Sequence, residues 1–210
     1  MRYWLLLFAI GGLLVPGCSG ESPTTAPSNN GPAVGPHAGL TPGDGGAESA
    51  AGQSFDDSGG PVKLAAIVLT SPAGWQRKPP SSSFVAAEFA LAHAEGDDSD
   101  ARLTVSTAGG SVEANVDRWK AQFDPLTEEK PVETVDVAGM SVTIVDLSGD
   151  FNDARGPFAP PVQRSGYRMI AAIVPVEGQL YFVKASGPQK TMAEHADAIH
   201  EFIRSVQPVR

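Results

Sequence analysis

The chain has 210 residues, with 15 Lys and Arg against 24 Asp and Glu and a formal net charge of −9. This balance excludes nucleic acid as a partner, because phosphate binding requires a basic surface. A single cysteine also excludes an internal disulfide.

A short apolar segment near the N-terminus ends at that cysteine. Arg2 supplies a positive charge, and the apolar residues 4–15 have the length of a signal-peptide core, not of a membrane span. The run Leu13-Leu14-Val15-Pro16-Gly17-Cys18 resembles the lipobox of bacterial lipoprotein precursors, although Pro16 stands where Ala or Ser is usual. The resemblance implies a signal peptide over residues 1–17 and lipidation of Cys18, which anchors a protein stably on a membrane when two acyl chains are attached. An ordinary secretory signal or an uncleaved anchor is the alternative.

The segment over residues 18–60 is rich in Gly, Pro, Ser, Ala, Thr and Asn. It has too few large apolar side chains to offset the entropy of ordering a chain. We therefore predict a disordered linker between the lipidated cysteine and a domain over residues 61–210, which has the usual length of one domain.

The first half of that domain alternates strands and turns. Residues 63–69 predict a strand, and residues 84–91 and 103–106 predict a hairpin around the acidic tip 95–100. A helix then begins at Ser111, a typical N-cap residue. Four apolar residues at helical spacing form its buried face, and a proline ends it: Val112, Val116, Trp119, Phe123 and Pro125.

The second half predicts two hairpins and a helix. Residues 132–137 and 140–147 flank a tight turn, and residues 167–174 and 179–186 flank a second turn at Glu177-Gly178. Residues 190–205 form an amphipathic helix. Hairpins combined with two long helices predict an α+β domain with a largely antiparallel sheet.

This order of elements resembles the PsbP/Mog-like superfamily. The segments that carry the resemblance are Pro72-Ala73-Gly74-Trp75, residues 115–123 and Tyr181-Phe182-Val183-Lys184. The resemblance implies an α/β/α sandwich around an antiparallel sheet, and members that act as binding or scaffolding modules. Because fold does not carry function across such a set, a site must be argued from its residues.

Three clusters of polar, glycine or aromatic residues resemble binding sites, but we predict structural roles for them. Asn115, Arg118 and Gln122 form a polar strip predicted to anchor their helix to neighbouring loops. Gly109-Gly110-Ser111 lacks the lysine of a phosphate-binding loop and is predicted to cap that helix. Trp119 and Phe123 are predicted core residues.

Metal binding is not predicted either. The acidic tip 95–100, with His93 nearby, lacks the ligand spacing of a calcium loop. His195 and His200 are five residues apart, so they point to different sides of a helix and do not form a zinc pair. We expect no metal and no cofactor.

A long connection over residues 149–166 is the one region predicted to meet a partner. Phe151, Arg155 and Phe158 lie there without a strand or helix period to bury the two aromatic rings. We expect a flap that faces a partner or a ligand. The alternative is a loop that packs its phenylalanines back on the domain.

The sequence therefore predicts a non-catalytic binding or scaffolding lipoprotein of the cell envelope. Its partners would be the membrane, through lipidated Cys18, and an envelope protein. It would face away from the cytoplasm. The alternatives are a protein that binds a divalent cation or a small solute, and an envelope enzyme of unrecognised type. No motif for nucleophilic catalysis is present to favour the enzyme.

Overall fold

A computed structural model describes residues 58–154 and 160–209. The predicted signal peptide, Cys18 and nearly all of the predicted linker lie outside the described residues. The elements in chain order are β1 (Gly60–Lys63), β2 (Ile67–Ser71), β3 (Gln76–Lys78), β4 (Val85–Leu91), β5 (Ala101–Ala108), α1 (Val112–Lys120), β6 (Phe123–Glu129), β7 (Glu133–Val137), β8 (Met140–Asp153), β9 (Val162–Val176), β10 (Gln179–Pro188), α2 (Gln189–Arg204) and β11 (Gln207–Pro208).

Eight strands form one antiparallel sheet in the order β3-β4-β5-β10-β9-β8-β6, with β7 paired to β8. Strand β10 lies near its middle, between β5 and β9. A smaller sheet contains β1, β2 and β11. None of the helices within the described residues is long and apolar enough to cross a membrane.

Helix α2 covers one face of the large sheet. Its apolar stripe buries Met192, Ile199, Phe202 and Ile203, as the predicted periodicity requires. The ring of Phe202 meets Trp75 and Phe89 at centroid distances of 5.3 and 5.9 Å. The smaller sheet adds three fully buried side chains to this core: Val62, Ile67 and Leu69.

Helix α1 lies on the opposite face, over a second and smaller core. Its Val116 and Trp119 pack with buried side chains of four strands: Phe123, Val145, Leu147, Phe151, Met169, Ala171, Ile173 and Phe182. A helix on each face of a mostly antiparallel sheet confirms the predicted α+β class and its sandwich arrangement.

Three local predictions were wrong. Residues 63–69 are not one strand, because the chain turns between β1 and β2, which pair with each other. Helix α1 ends at Lys120, and Phe123 and Pro125 lie in β6, so that proline does not end the helix. Phe123 still joins the core of α1, because β6 pairs with β8 beneath the helix.

The predicted loop over residues 149–166 is also mostly strand. Strand β8 continues to Asp153, and β9 begins at Val162, with Phe151 opposite Arg164. Phe151 is only 3% exposed and packs between the rings of Phe123 and Tyr167. Its burial corrects the expectation of an unburied ring. Arg155 and Phe158 lie outside the described residues.

Candidate functional site

Helix α1 covers only part of its face of the large sheet. The uncovered part of that face, on β5 and β10, carries polar side chains. Strand register places Thr104 of β5 between Glu88 of β4 and Lys184 of β10. Along β5 and β10, polar residues alternate with buried apolar ones, so the polar side chains share one face. We call this half of the sheet the open face. It consists of Arg102, Thr104, Ser106, Phe182, Lys184 and Ser186.

A groove of about 330 Å³ lies between the open face and α1. A smaller pocket of about 50 Å³ adjoins it, because Thr104, Gln122 and Lys184 line both. Residues specific to the small pocket are mostly polar: Arg102, Asp153, Ala154 and Ser186, beside the ring of Phe151. Residues specific to the groove include several apolar ones: Phe84, Val85, Ala108, Trp119 and Phe182.

Lys184 stands where the two cavities meet. Its Nζ donates a hydrogen bond of 2.5 Å to Oε1 of Gln122 and lies 5.2 Å from the centre of the Phe151 ring. The pKa of Lys184 is lowered to about 8, mainly by burial and also by repulsion from Arg102 and Arg118, while the nearby Asp153 acts in the opposite direction. The chain thus holds an ammonium group in the cavity at an electrostatic cost.

Arg102 is held beside Lys184 by a buried carboxylate. Its Nε donates to Oε1 of Glu88 at 2.7 Å, and its Nη2 donates to Oε2 of Glu88 and to Oγ of Ser81. Burial raises the pKa of Glu88, but the hydrogen bonds from Arg102 and Ser81 outweigh it and hold the pKa at about 2. The guanidinium group is therefore fixed in place beside the small pocket.

Arg118 supplies a third cation from the helix side. It donates a hydrogen bond to Oδ1 of Asn115, and its guanidinium carbon lies 5.9 Å from the centre of the Phe182 ring. Asn115 in turn donates to the carbonyl oxygens of Gly109 and Ser111. These bonds confirm the predicted anchoring role for Asn115. Gln122, from the same predicted strip, instead faces Lys184 in the groove.

The apolar end of the groove is exposed to solvent. Phe84, just before β4, lines it and is 71% exposed. Trp119 and Phe182 also line it and meet edge to face at a centroid distance of 5.3 Å. Phe84, Trp119 and Phe182 thus form the aromatic part of the groove lining.

The acidic tip between β4 and β5 holds the start of α2. Pro188, at the N-cap of α2, offers no side-chain bond, and Oδ2 of Asp97 accepts from the backbone N–H and hydroxyl of Thr191 instead. Asp100 accepts from the backbone N–H of His93 at 3.0 Å. Within residues 58–154 and 160–209, no group of three His, Cys, Asp or Glu side chains is arranged to hold a metal ion.

The two histidines of α2 point to different places, as their spacing predicts. Nε2 of His195 lies 2.9 Å from the carbonyl oxygen of Ala92. His200 is half-buried in a polar cavity of about 390 Å³ with acidic and basic neighbours, and burial lowers the pKa of its ring.

Oγ of Ser111 accepts from the N–H of Ala114, which confirms the predicted cap of α1.

Sequence reasoning missed Lys184 and Arg102 as site residues. In the sequence analysis, Lys184 was named only as the last residue of Tyr181-Phe182-Val183-Lys184, one of the segments that carry the superfamily resemblance. The available signal was the alternation in two strands, where Arg102, Thr104 and Ser106 occupy every second position of β5, and Lys184 and Ser186 do so in β10. Polar residues on one side of two strands indicate a face that is not fully covered by core.

No protein-family model matches the chain. No curated protein sequence matches it either. Several solved structures are similar to it at low identity, and three of them are described here. A Pseudomonas aeruginosa protein of unknown function, PA94, shows 11% identity and a TM-score of 0.42 over 72% of this chain and 98% of its own.

The second structure is cyanobacterial PsbP from Synechocystis, at 12% identity and a TM-score of 0.43 over 70% of this chain and 95% of its own. The third is LpqN, described as involved in cell envelope biogenesis of Mycobacterium tuberculosis, at 15% identity and a TM-score of 0.46 over 73% of this chain and 87% of its own. PsbP belongs to the superfamily that the sequence resembles. At these scores, the likenesses assign no family, ligand or partner to the chain.

Proposed function

We propose that this chain is a lipid-anchored, non-catalytic binding module of the cell envelope, and that the groove beside Lys184 is its binding site for a small solute. The observation that carries the proposal is the position of Lys184, which lines both the small polar pocket and the adjoining groove, and burial there lowers its pKa. Titratable groups perturbed by burial and neighbouring charges are concentrated at functional sites. The groove volume of about 330 Å³ is that of a small-molecule site.

The anchored location rests on the lipobox around Cys18. Among the functions predicted from the sequence, small-solute binding is the one that the groove favours. A protein partner in the envelope remains a separate prediction. The acidic tip supports a cation-binding function less well, because Asp97 and Asp100 already accept hydrogen bonds from Thr191 and His93.

Amide NMR spectra test the binding function directly. The mature chain over residues 18–210, with Cys18→Ser so that neither the signal peptide nor a lipid requires detergent, is titrated with a small-solute extract of the producing cell's envelope. We expect shifts confined to amides of β5, β10 and α1, and their loss in Lys184→Met. The control is Lys63→Met, which changes an exposed lysine of β1 far from the groove. Shifts that persist unchanged in Lys184→Met would contradict the proposed site.

The lowered pKa also favours a second candidate, an enzyme that uses the Lys184 amine as a nucleophile. An amine attacks an aldehyde to form an imine with loss of water, and borohydride then reduces the imine to a stable secondary amine. Because its lowered pKa leaves more uncharged amine at neutral pH, the binding function predicts that propanal and borohydride modify Lys184 faster than exposed Lys63 only by the factor that this larger share of free amine accounts for. Modification of Lys184 well beyond that factor, located by peptide mass spectrometry, would favour the enzyme.

A further inference from the structure

The site has two chemically different ends. The small pocket is lined by cationic and polar groups, including Arg102, Lys184 and Ser186. The adjoining groove is lined by the rings of Phe84, Trp119 and Phe182. Thr104, Gln122 and Lys184 line both, so the two cavities adjoin at Lys184 and a ligand with two different ends would have one end on each side of it.

The polar end favours an anion. Arg102 of β5 and Lys184 of β10 line it, Arg118 of α1 lines the adjoining groove and repels Lys184, and the facing carboxylates are Glu88 of β4 and Asp153 of β8. Glu88 is engaged by Arg102 through two hydrogen bonds. The hydrogen-bond acceptor of Lys184 is the neutral amide of Gln122. A local excess of positive charge in a chain of net charge −9 indicates a site for a negatively charged group.

The apolar end favours a hydrocarbon chain or a ring. Phe84 is the most exposed large apolar side chain among the described residues, at 71%. Trp119 and Phe182 continue the apolar lining toward Lys184. Covering this surface removes apolar area from water, which contributes roughly 25 cal/mol per Å².

We propose that the site binds an amphiphilic anion, with a carboxylate or phosphate group beside Lys184 and Arg102 and an apolar chain or ring along Trp119, Phe182 and Phe84. This inference rests on the proposed binding function and names the class of its ligand. A metal cation is disfavoured by the three cationic side chains. A sugar without charge would bring no negative charge to balance Arg102, Arg118 and Lys184.

Calorimetry with matched probes tests the inference on the mature chain over residues 18–210 carrying Cys18→Ser. The probes are octanoate, acetate, inorganic phosphate and octyl glucoside, each below its micelle concentration. We expect octanoate to bind at least tenfold more tightly than acetate, phosphate or octyl glucoside. Octanoate should also shift amides of β5, β10 and α1 in NMR spectra.

Two variants test the polar end and the apolar end of the site separately. Lys184→Met should weaken octanoate at least tenfold and leave octyl glucoside unchanged. Phe84→Ala should weaken octanoate several-fold and leave acetate unchanged; this exposed ring can be removed without opening the core. Lys63→Met serves as the control and should change neither affinity.

The pH dependence supplies an independent readout. Arginine and carboxylate groups do not change charge between pH 7 and 9, so Lys184 is the facing group that titrates there. Octanoate binds the ammonium form, and its affinity should fall about tenfold from pH 7 to pH 9 as the free-protein pKa of about 8 is passed. In Lys184→Met this fall should be absent.

The outcomes distinguish the ligand class from the binding function. Equal affinity for octyl glucoside and octanoate would overturn the anionic part, and equal affinity for acetate and octanoate would overturn the apolar part. If no probe shifts the groove amides while the envelope extract does, the ligand class is overturned and the binding function stands. If neither the probes nor the extract shifts them, both proposals fall.

Discussion

The Lys184 ammonium group is expected to destabilise the fold that holds it. Its pKa falls from 10.5 to about 8, which corresponds to a cost on the order of 3 kcal/mol for keeping the group charged. The hydrogen bond to Gln122 and the contact with the Phe151 ring are present in the structure and offset only part of the desolvation. A charge held at such a cost is typical of a functional position.

Lys184→Met should therefore stabilise the protein at pH 7, by about 1 to 3 kcal/mol in urea unfolding. The unfolded chain binds more protons than the folded one between pH 8 and pH 10.5, so wild-type stability gains from this group as pH rises through that window. The advantage of the variant should shrink over the same range. Lys63→Met should show no such difference, and a Lys184→Met protein less stable at pH 7 would contradict this account.

At the scale of elements, the pairing of β6 with the second half of β8 depends on a glycine. Gly149 lies opposite Leu126 and lets the backbone of β6 approach that of β8 closely. A Cβ atom at Gly149 would lie 2.2 Å from the carbonyl oxygen of Pro125 and 3.1 Å from Cα of Leu126. The register of β6 against β8 shifts on both sides of Leu126, which is opposite Gly149. A glycine inside a strand often marks such a close approach of two backbones.

Gly149→Ala should cost about 3 kcal/mol, because backbone atoms of β6 must move to admit the methyl group. Thermal unfolding measures the loss. Gly109→Ala is the matched control, since a Cβ atom there meets nothing within 4 Å. Equal stability of the two variants would show that β6 does not pack against Gly149 as described.

The start of α2 depends on the distant acidic tip. Thr191 is fully buried; its hydroxyl donates to Asp97 and accepts from the backbone N–H of Ala94 at 3.0 Å. Thr191→Val keeps the side-chain shape but leaves the Ala94 N–H without that acceptor. We expect a loss of about 2 kcal/mol in urea unfolding.

Thr70→Val, at an exposed position of β2, provides the comparison and should change stability little. Amide hydrogen exchange adds a local readout. In Thr191→Val, protection should fall at the first turn of α2 and at the tip. A uniform fall across the sheet would contradict a local role for this hydroxyl.

At the scale of the whole molecule, we expect Cys18 to determine where the domain acts. Cys18→Ser, expressed behind an ordinary cleavable secretory signal in place of residues 1–17, removes the sulfur that the lipobox resemblance predicts to be acylated, and the exported protein should move from the membrane fraction to the soluble one. Mass spectrometry of the mature N-terminus measures the acyl groups. Ser19→Ala is the control and should remain in the membrane fraction. An unmodified Cys18 in the wild-type protein would overturn the anchoring prediction.

Local sequence patterns were sufficient to predict most of the helices and strands. Both helices and the hairpins around Ala138-Gly139 and Glu177-Gly178 follow from the period of apolar residues and from turn residues, which act within a few positions of the chain. Strand β6 and the ends of β8 and β9 were not predicted. Their burial depends on pairing with each other, as the contact of Phe123 with Phe151 shows.

The proposed binding site could be identified only from the tertiary structure. Thr104 and Lys184 are 80 residues apart, and only the pairing of β5 with β10 places them side by side. The position of α1 then brings Gln122 to Lys184 and leaves the groove beside it. The sequence by itself determined the predicted membrane anchor and the α+β class, because both depend on local order and composition. The tertiary structure decided which cations meet in the groove, since that depends on contacts between distant parts of the chain.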